Sequence, residues 1–136
     1  MAVVKSVTAR FARNSDGAAI KVLLAATEQD LPVAFDDIEG FWIVAEWKGR
    51  IVGCIQLCYG KPVGSLEMLA IGEVPGMIKG HAVRELILSG MAMLHGRGIR
   101  FVRGFVPFRL KSYKRALRKR GGEAMDQGNL ILRRIG

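Results

Sequence analysis

The chain is poor in cysteine and in acid, and it has no long apolar run. Cys54 and Cys58 are its only two cysteines. On one strand they would stand about 13 Å apart on the same face. At that spacing they cannot bond each other or share a metal ion, so a disulfide framework is excluded and both thiols read as core residues. No stretch approaches the roughly 18 apolar residues of a spanning helix, although 50% of the residues are hydrophobic and mean hydropathy is +0.21. Met1–Val7 is too short and too interrupted for a signal peptide. The expectation is a soluble, cytoplasmic protein without a membrane span. Helix-turn-helix and zinc-ligand spacings are both missing, which leaves base-specific reading of nucleic acid unsupported. With no repeat, linker or low-complexity tract, the 136 residues read as one domain with a sizeable core.

The shortage of acid has a consequence of its own. Twelve Asp and Glu stand against 21 Lys and Arg, for a net charge of +9. Such a field favours anionic partners: phosphate-rich cofactors, nucleic acid or other acidic surfaces. Between Arg97 and Arg120 there is no acid at all.

What is present centres on Gly64–Gly96. Ser65–Ile71 is short, apolar and reads as a buried strand. Gly72–Gly80, with Pro75 and three glycines, reads as a loop. Ala82–Leu94 then takes helical spacing through Val83, Ile87, Met91 and Leu94. A strand, a glycine-rich loop and a helix N-terminus bring unpaired N–H groups and the positive dipole end to one point. That suits phosphate, and Lys79 adds a charge.

The rest of the chain fits around this unit. Val3–Phe11 reads as a strand. Asn14, Ser15 and Asp16 offer N-caps for a helix over Gly17–Glu28. Asp30–Gly40 reads as a loop or short helix. Phe41–Trp47 and Arg50–Leu57 form a hairpin about Lys48-Gly49, with Trp42 and Trp47 packing against helices or lining a substrate site. Glycine-rich chemistry over His95–Gly98 stops the long helix. Ile99–Val106 is a strand, Leu110–Arg120 a helix, and Glu123–Asp126 with Leu130–Ile135 a closing hairpin.

This order, with Val44-Ala45-Glu46-Trp47-Lys48-Gly49-Arg50-Ile51-Val52-Gly53 and Met77-Ile78-Lys79-Gly80-His81-Ala82, resembles the GNAT superfamily of N-acetyltransferases over nearly the whole chain. The resemblance implies an α/β (α+β) fold: a mixed, mostly antiparallel sheet flanked by helices on both faces. It implies acyl transfer from acetyl-CoA to an amine, with no metal. Met77, Ile78, Lys79, Gly80, His81 and Ala82 would cradle the pyrophosphate. Met77 stands where the family usually has Arg or Gln. An N–H of Leu69, Ala70 or Ile71 would meet the developing oxyanion. Arg109 and Lys111, at the start of the last helix, would hold the 3′-phosphate.

Glu67 is the candidate base. Strand alternation sets it on one face with Leu69 and Ile71, and an acid among apolar residues suits that role. Glu73 is second choice. The family's usual general acid, a Tyr near the end of the last helix, is absent here, and Tyr113 lies one turn earlier. A second reading follows from that gap: a GNAT-like domain without turnover, serving as a basic module for nucleic acid or a larger assembly. The acceptor amine, and whether the chain acts as monomer or homodimer, stay open.

Overall fold

A computed structural model describes residues 7–27, 38–60, 63–105, 123–124 and 130–134. Seven strands form one sheet: β1 (Thr8–Phe11), β2 (Trp42–Trp47), β3 (Arg50–Cys58), β4 (Val63–Ile71), β5 (Phe101–Phe105), β6 (Glu123–Ala124) and β7 (Leu130–Arg134). Their order is β1-β2-β3-β4-β5-β7-β6. Neighbours are antiparallel except β4 and β5, which run parallel. Two helices complete the described fold: α1 (Gly17–Ala26), entered through a 3-10 turn at Asn14–Asp16, and α2 (Gly76–Gly96).

Alternation on β2 sorts the two helices to opposite faces. Trp42 and Val44 join α1 residues Ile20, Leu23 and Leu24 in one cluster. Ile43 and Ala45 join α2 residues Ile78, Ala82, Leu86, Ile87, Met91 and Leu94 in the other. The expected sheet between helices is therefore observed. Each fully buried Leu or Ile contributes about 1.5–3 kcal/mol.

The β2–β3 turn follows from its residues. Lys48 and Gly49 both hold positive φ, 51° and 75°, as a two-residue turn matching strand twist requires. The C-terminus of α2 also behaves as expected. Gly98, at φ 81°, donates its N–H to His95 at 2.9 Å, and Ile99 donates to Leu94 at 3.1 Å. Those two bonds with Ile99 packed beside Leu94 make a Schellman cap.

The structure corrects two other expectations. None of Asn14, Ser15 and Asp16 caps α1 through its side chain. The Asp16 carboxylate instead accepts from the Arg13 N–H at 2.7 Å and from Arg10 at 2.8 Å. The helix α2 also begins earlier than the spacing predicts, at Gly76 rather than Ala82. Pro75 sits at its N-cap with φ −54° and ψ 146°. Ile78 is buried one turn before Ala82, so the core anchors the first turn despite Gly76 and Gly80. The predicted Leu110–Arg120 helix lies outside the described residues.

Candidate active site

The distinctive feature of β4 is an irregularity at its centre. On β3, Cys54 to Gln56 is two steps; on β4, the partners Ala70 to Glu67 are three. The extra residue makes a bulge, and Met68 there holds φ 54°. That left-handed backbone costs a residue with a Cβ about 1–2 kcal/mol. It persists because α1 and β3 surround it: Met68 packs against the α1-side cluster.

The bulge changes which face each β4 side chain serves. Leu66, Leu69 and Ile71 pack with the α2-side core, while Ala70 and Met68 pack with the α1 side. Glu67 pairs with Gln56, whose neighbours Ile55 and Leu57 belong to the α2 side. Glu67 therefore lies on the α1 face, opposite Leu69 and Ile71. The expectation that all three share a face is overturned, because simple alternation does not survive an inserted residue.

The edge of β4 away from β3 carries few registered pairs among the described residues. Its parallel pairing with β5 covers Val63↔Phe101, Gly64↔Val102, Ser65↔Arg103 and Leu66↔Gly104, and no registered pair follows among the described residues. Gly72 donates its N–H to Val52 on β3 at 2.8 Å. Successive residues alternate sides, so Ile71 directs its N–H away from β3, and Leu69 shares that direction. Ala70 directs its own toward β3. Of the three oxyanion candidates, two thus face the edge of β4 that has no registered partner beyond Leu66 among the described residues.

Past Ile71 a short turn leads into α2. The Lys79 N–H is bonded to the Pro75 oxygen at 2.9 Å, so the helix's unpaired amides belong to Gly76, Met77 and Ile78. The N–H groups of Gly80, His81 and Ala82 fall inside the helical ladder, unlike the loop the sequence suggests. Met77, Lys79, Gly80 and His81 are exposed, whereas Ile78 and Ala82 are buried. A Cβ on Gly80 would meet nothing within 4 Å, so that surface is clear for an approaching molecule.

On the α1 face a polar group extends across the sheet. Cys58 pairs with Ser65 and Gln56 with Glu67, and Arg103 lies beside Ser65. Ser65 is 6% exposed and its side chain is hydrogen-bonded with Cys58. Burial raises the Cys58 thiol pKa, and the Glu67 charge adds to that effect. Burial pushes Cys54, deep in the α1-side cluster, up to about 12. Both thiols are free. Cys54 is a core residue as expected; Cys58 is half-buried and was not foreseen as a neighbour of Glu67.

Several sequence candidates take other places. Trp42 is buried under α1. Trp47 packs toward α2 and carries the Lys48 ammonium 4.6 Å from its ring centroid. Arg97 lies 4.9 Å from the Tyr59 ring. Glu73 is exposed in the turn before α2. Tyr113, Arg109, Lys111 and the rest of the basic segment from Val106 to Arg120 lie outside the described residues. Among the described residues, no group of His, Cys, Asp or Glu could hold a metal.

Solved structures share this arrangement. An acetyltransferase of GNAT family from Staphylococcus aureus superposes with TM-score 0.73 at 11% identity, over 96% of this chain and 100% of its own. The fold is that of the GNAT acetyltransferases. Salmonella typhimurium yncA, solved with its cofactor acetyl-CoA, gives TM-score 0.73 at 12% identity, covering 97% of this chain and 95% of that one. N-acetylglutamate synthase from Neisseria gonorrhoeae, complexed with coenzyme A and N-acetyl-glutamate, gives 0.68 at 17% identity over 96% of this chain. This chain spans only 35% of that synthase's length. No protein-family model and no curated protein matches the amino-acid sequence. The GNAT likeness thus lies in the backbone.

Proposed function

We propose that this chain is an acyl-CoA-dependent N-acyltransferase that moves an acetyl group from acetyl-CoA to an amine. The observation that carries this reading is the continuity of β4 with α2. A strand edge bearing N–H groups, without a registered partner among the described residues, runs through one short turn into a helix N-terminus with three unpaired amides. An extended thioester cofactor with a pyrophosphate fits that sequence of donors. The structural neighbours solved with coenzyme A or acetyl-CoA support it.

The residues divide the work as follows. The amides of Gly76, Met77 and Ile78, with the helix dipole, hold the pyrophosphate, and Lys79 contributes charge. The edge N–H groups of β4 align the cofactor's arm, and one of them meets the oxygen of the tetrahedral intermediate. Acetyl-CoA supplies the acyl group as an activated thioester. Glu67, on the opposite face from Leu69 and Ile71, accepts the proton that the acceptor's ammonium must lose before it attacks as the neutral amine, directly or through one water. Attack forms the C–N bond, the C–S bond breaks, and a proton returns to the departing thiolate. A thiolate with a parent thiol pKa of about 8.5 leaves readily, so a dedicated general acid is not essential.

Calorimetric titration with acetyl-CoA, followed by an amine panel, tests the reading. Binding in the micromolar to submillimolar range is expected, roughly −5 to −8 kcal/mol. Glu67→Gln should lower turnover by about 10²–10⁴ with acetyl-CoA affinity nearly unchanged. Absence of both binding and thermal stabilisation by saturating acetyl-CoA overturns the proposal.

A further inference from the structure

The α1 face of the sheet carries two opposite charges that the acyl-transfer step alone does not require together. Glu67 is half-buried on β4 and Arg103 is exposed on β5. They share a face. Val102 belongs to the α2-side core, so its neighbour Arg103 points to the α1 side, and its register partner Ser65 sits two residues before Glu67. Strand spacing and rise set the two backbones about 8 Å apart on the diagonal. The ion pairs found among the described residues are those of Arg10 with Asp16 and Glu46; Glu67 and Arg103 are in neither. Ser65 lies beside both charges, Cys58 and Gln56 on β3 flank Ser65 and Glu67 on the side away from Arg103, and among the described residues no registered β4–β5 pair follows Leu66.

We propose that the acceptor is a small amine that also carries a carboxylate, bound with its amine at Glu67 and its carboxylate at Arg103. This rests on the acyltransferase reading above and names its substrate class. A purely cationic amine would meet both Arg103 and a protein of net charge +9, and repulsion would oppose it. A zwitterion presents a charge of the right sign to each side chain. The guanidinium fork matches a carboxylate in two parallel bonds, and its distance from Glu67 suits an acceptor of amino-acid size. Glu67 then faces the end of the molecule nearest Leu69 and Ile71, where acyl transfer takes place.

The test measures acetylation of L-alanine, β-alanine, γ-aminobutyrate and L-lysine, each against its carboxamide, at saturating acetyl-CoA. At least one acid should exceed its amide in kcat/KM by about 10- to 100-fold. Arg103→Leu, at an exposed position, should raise KM for that acid by a similar factor. Its effect on the carboxamide should be much smaller than on the acid. Arg103→Lys should restore part of the preference. Equal rates for acids and amides, or equal losses in both series with Arg103→Leu, overturn the proposal while leaving the acyltransferase reading intact. A preference for phosphate-bearing amines such as phosphoethanolamine over every acid also overturns it. Failure to bind acetyl-CoA by calorimetry overturns the reading beneath it, and this proposal with it.

Discussion

Replacing Arg10 with leucine should destabilise the native state by about 2–3 kcal/mol. The Arg10 guanidinium donates to Asp16 at 2.8 and 3.3 Å, to Glu46, and to the Phe11 oxygen at 3.0 Å. It thereby ties β1, the 3-10 turn and β2 together. Each bond to a charged group is worth about 1.5–3 kcal/mol where it is dry. Arg10 retains 27% of its side-chain exposure, so solvent screening cuts the sum. What remains after the substitution is the larger concern. Asp16 has a side chain only 11% exposed, and it would keep the Arg13 N–H alone. Urea unfolding at pH 7 should show the loss as a lower midpoint with an unchanged slope. Acid provides the second arm. The Arg10 hydrogen bonds, followed by the Arg13 amide, hold the Asp16 carboxyl below its ordinary range. A depressed folded-state pKa contributes stability that is complete above the unfolded value, about 3.9. That contribution is lost as pH falls through the folded value. The gap between wild type and Arg10→Leu should therefore be wide at pH 7 and narrow below pH 4. Equal midpoints at pH 7, or a gap that ignores acid, would refute the account.

Other expectations follow from the same structure. Leu86→Ala, at a side chain with no exposure, should cost about 2–5 kcal/mol, read as a Tm lower by roughly 6–20 °C. Met77→Glu places an acid in the first turn of α2, which favours the helix but opposes a bound pyrophosphate. The apo Tm should hold or rise while acetyl-CoA affinity falls about tenfold or more; unchanged affinity would put the phosphates elsewhere. In native protein at pH 8, Cys54, held at about 12 by burial, should resist alkylation far longer than half-buried Cys58. Equal labelling rates would mean that α1 does not stay closed over β3.

Some of this was legible in the residues and some was not. The β2–β3 hairpin was, because aromatic and β-branched residues flank a Lys-Gly pair that only one tight turn accommodates. The C-terminus of α2 was, because Gly98 follows His95 at the spacing a Schellman cap needs. The bulge was hidden. Leu66, Met68, Leu69, Ala70 and Ile71 are apolar on both faces, so no periodicity marks where the alternation slips. Simple alternation therefore sets Glu67 on the wrong face. The start of α2 was missed because Pro75, Gly76 and Gly80 resemble a loop by type, and only burial of Ile78 discloses the extra turn. Arg103 stood in a basic run that extends to Arg120, and nothing local separates it from the others. Its distinction comes from lying beside Ser65 across a parallel ladder, a pairing between residues far apart in the chain.

That parallel ladder divides the molecule. Strands β1 to β4 form one antiparallel unit in chain order and β5, β7 and β6 another, with β7 in the middle, and four registered pairs are the seam between them. Bridging it takes the whole of α2, so each half can close its own contacts before the seam forms. The seam is the fault line of the sheet, where two plates meet along a short join. A molecule lodged at the end of that join would act as mortar, engaging the edge of one plate and the wall of the other. Its effect on amide exchange should then spread through both plates, reaching strands that never touch it.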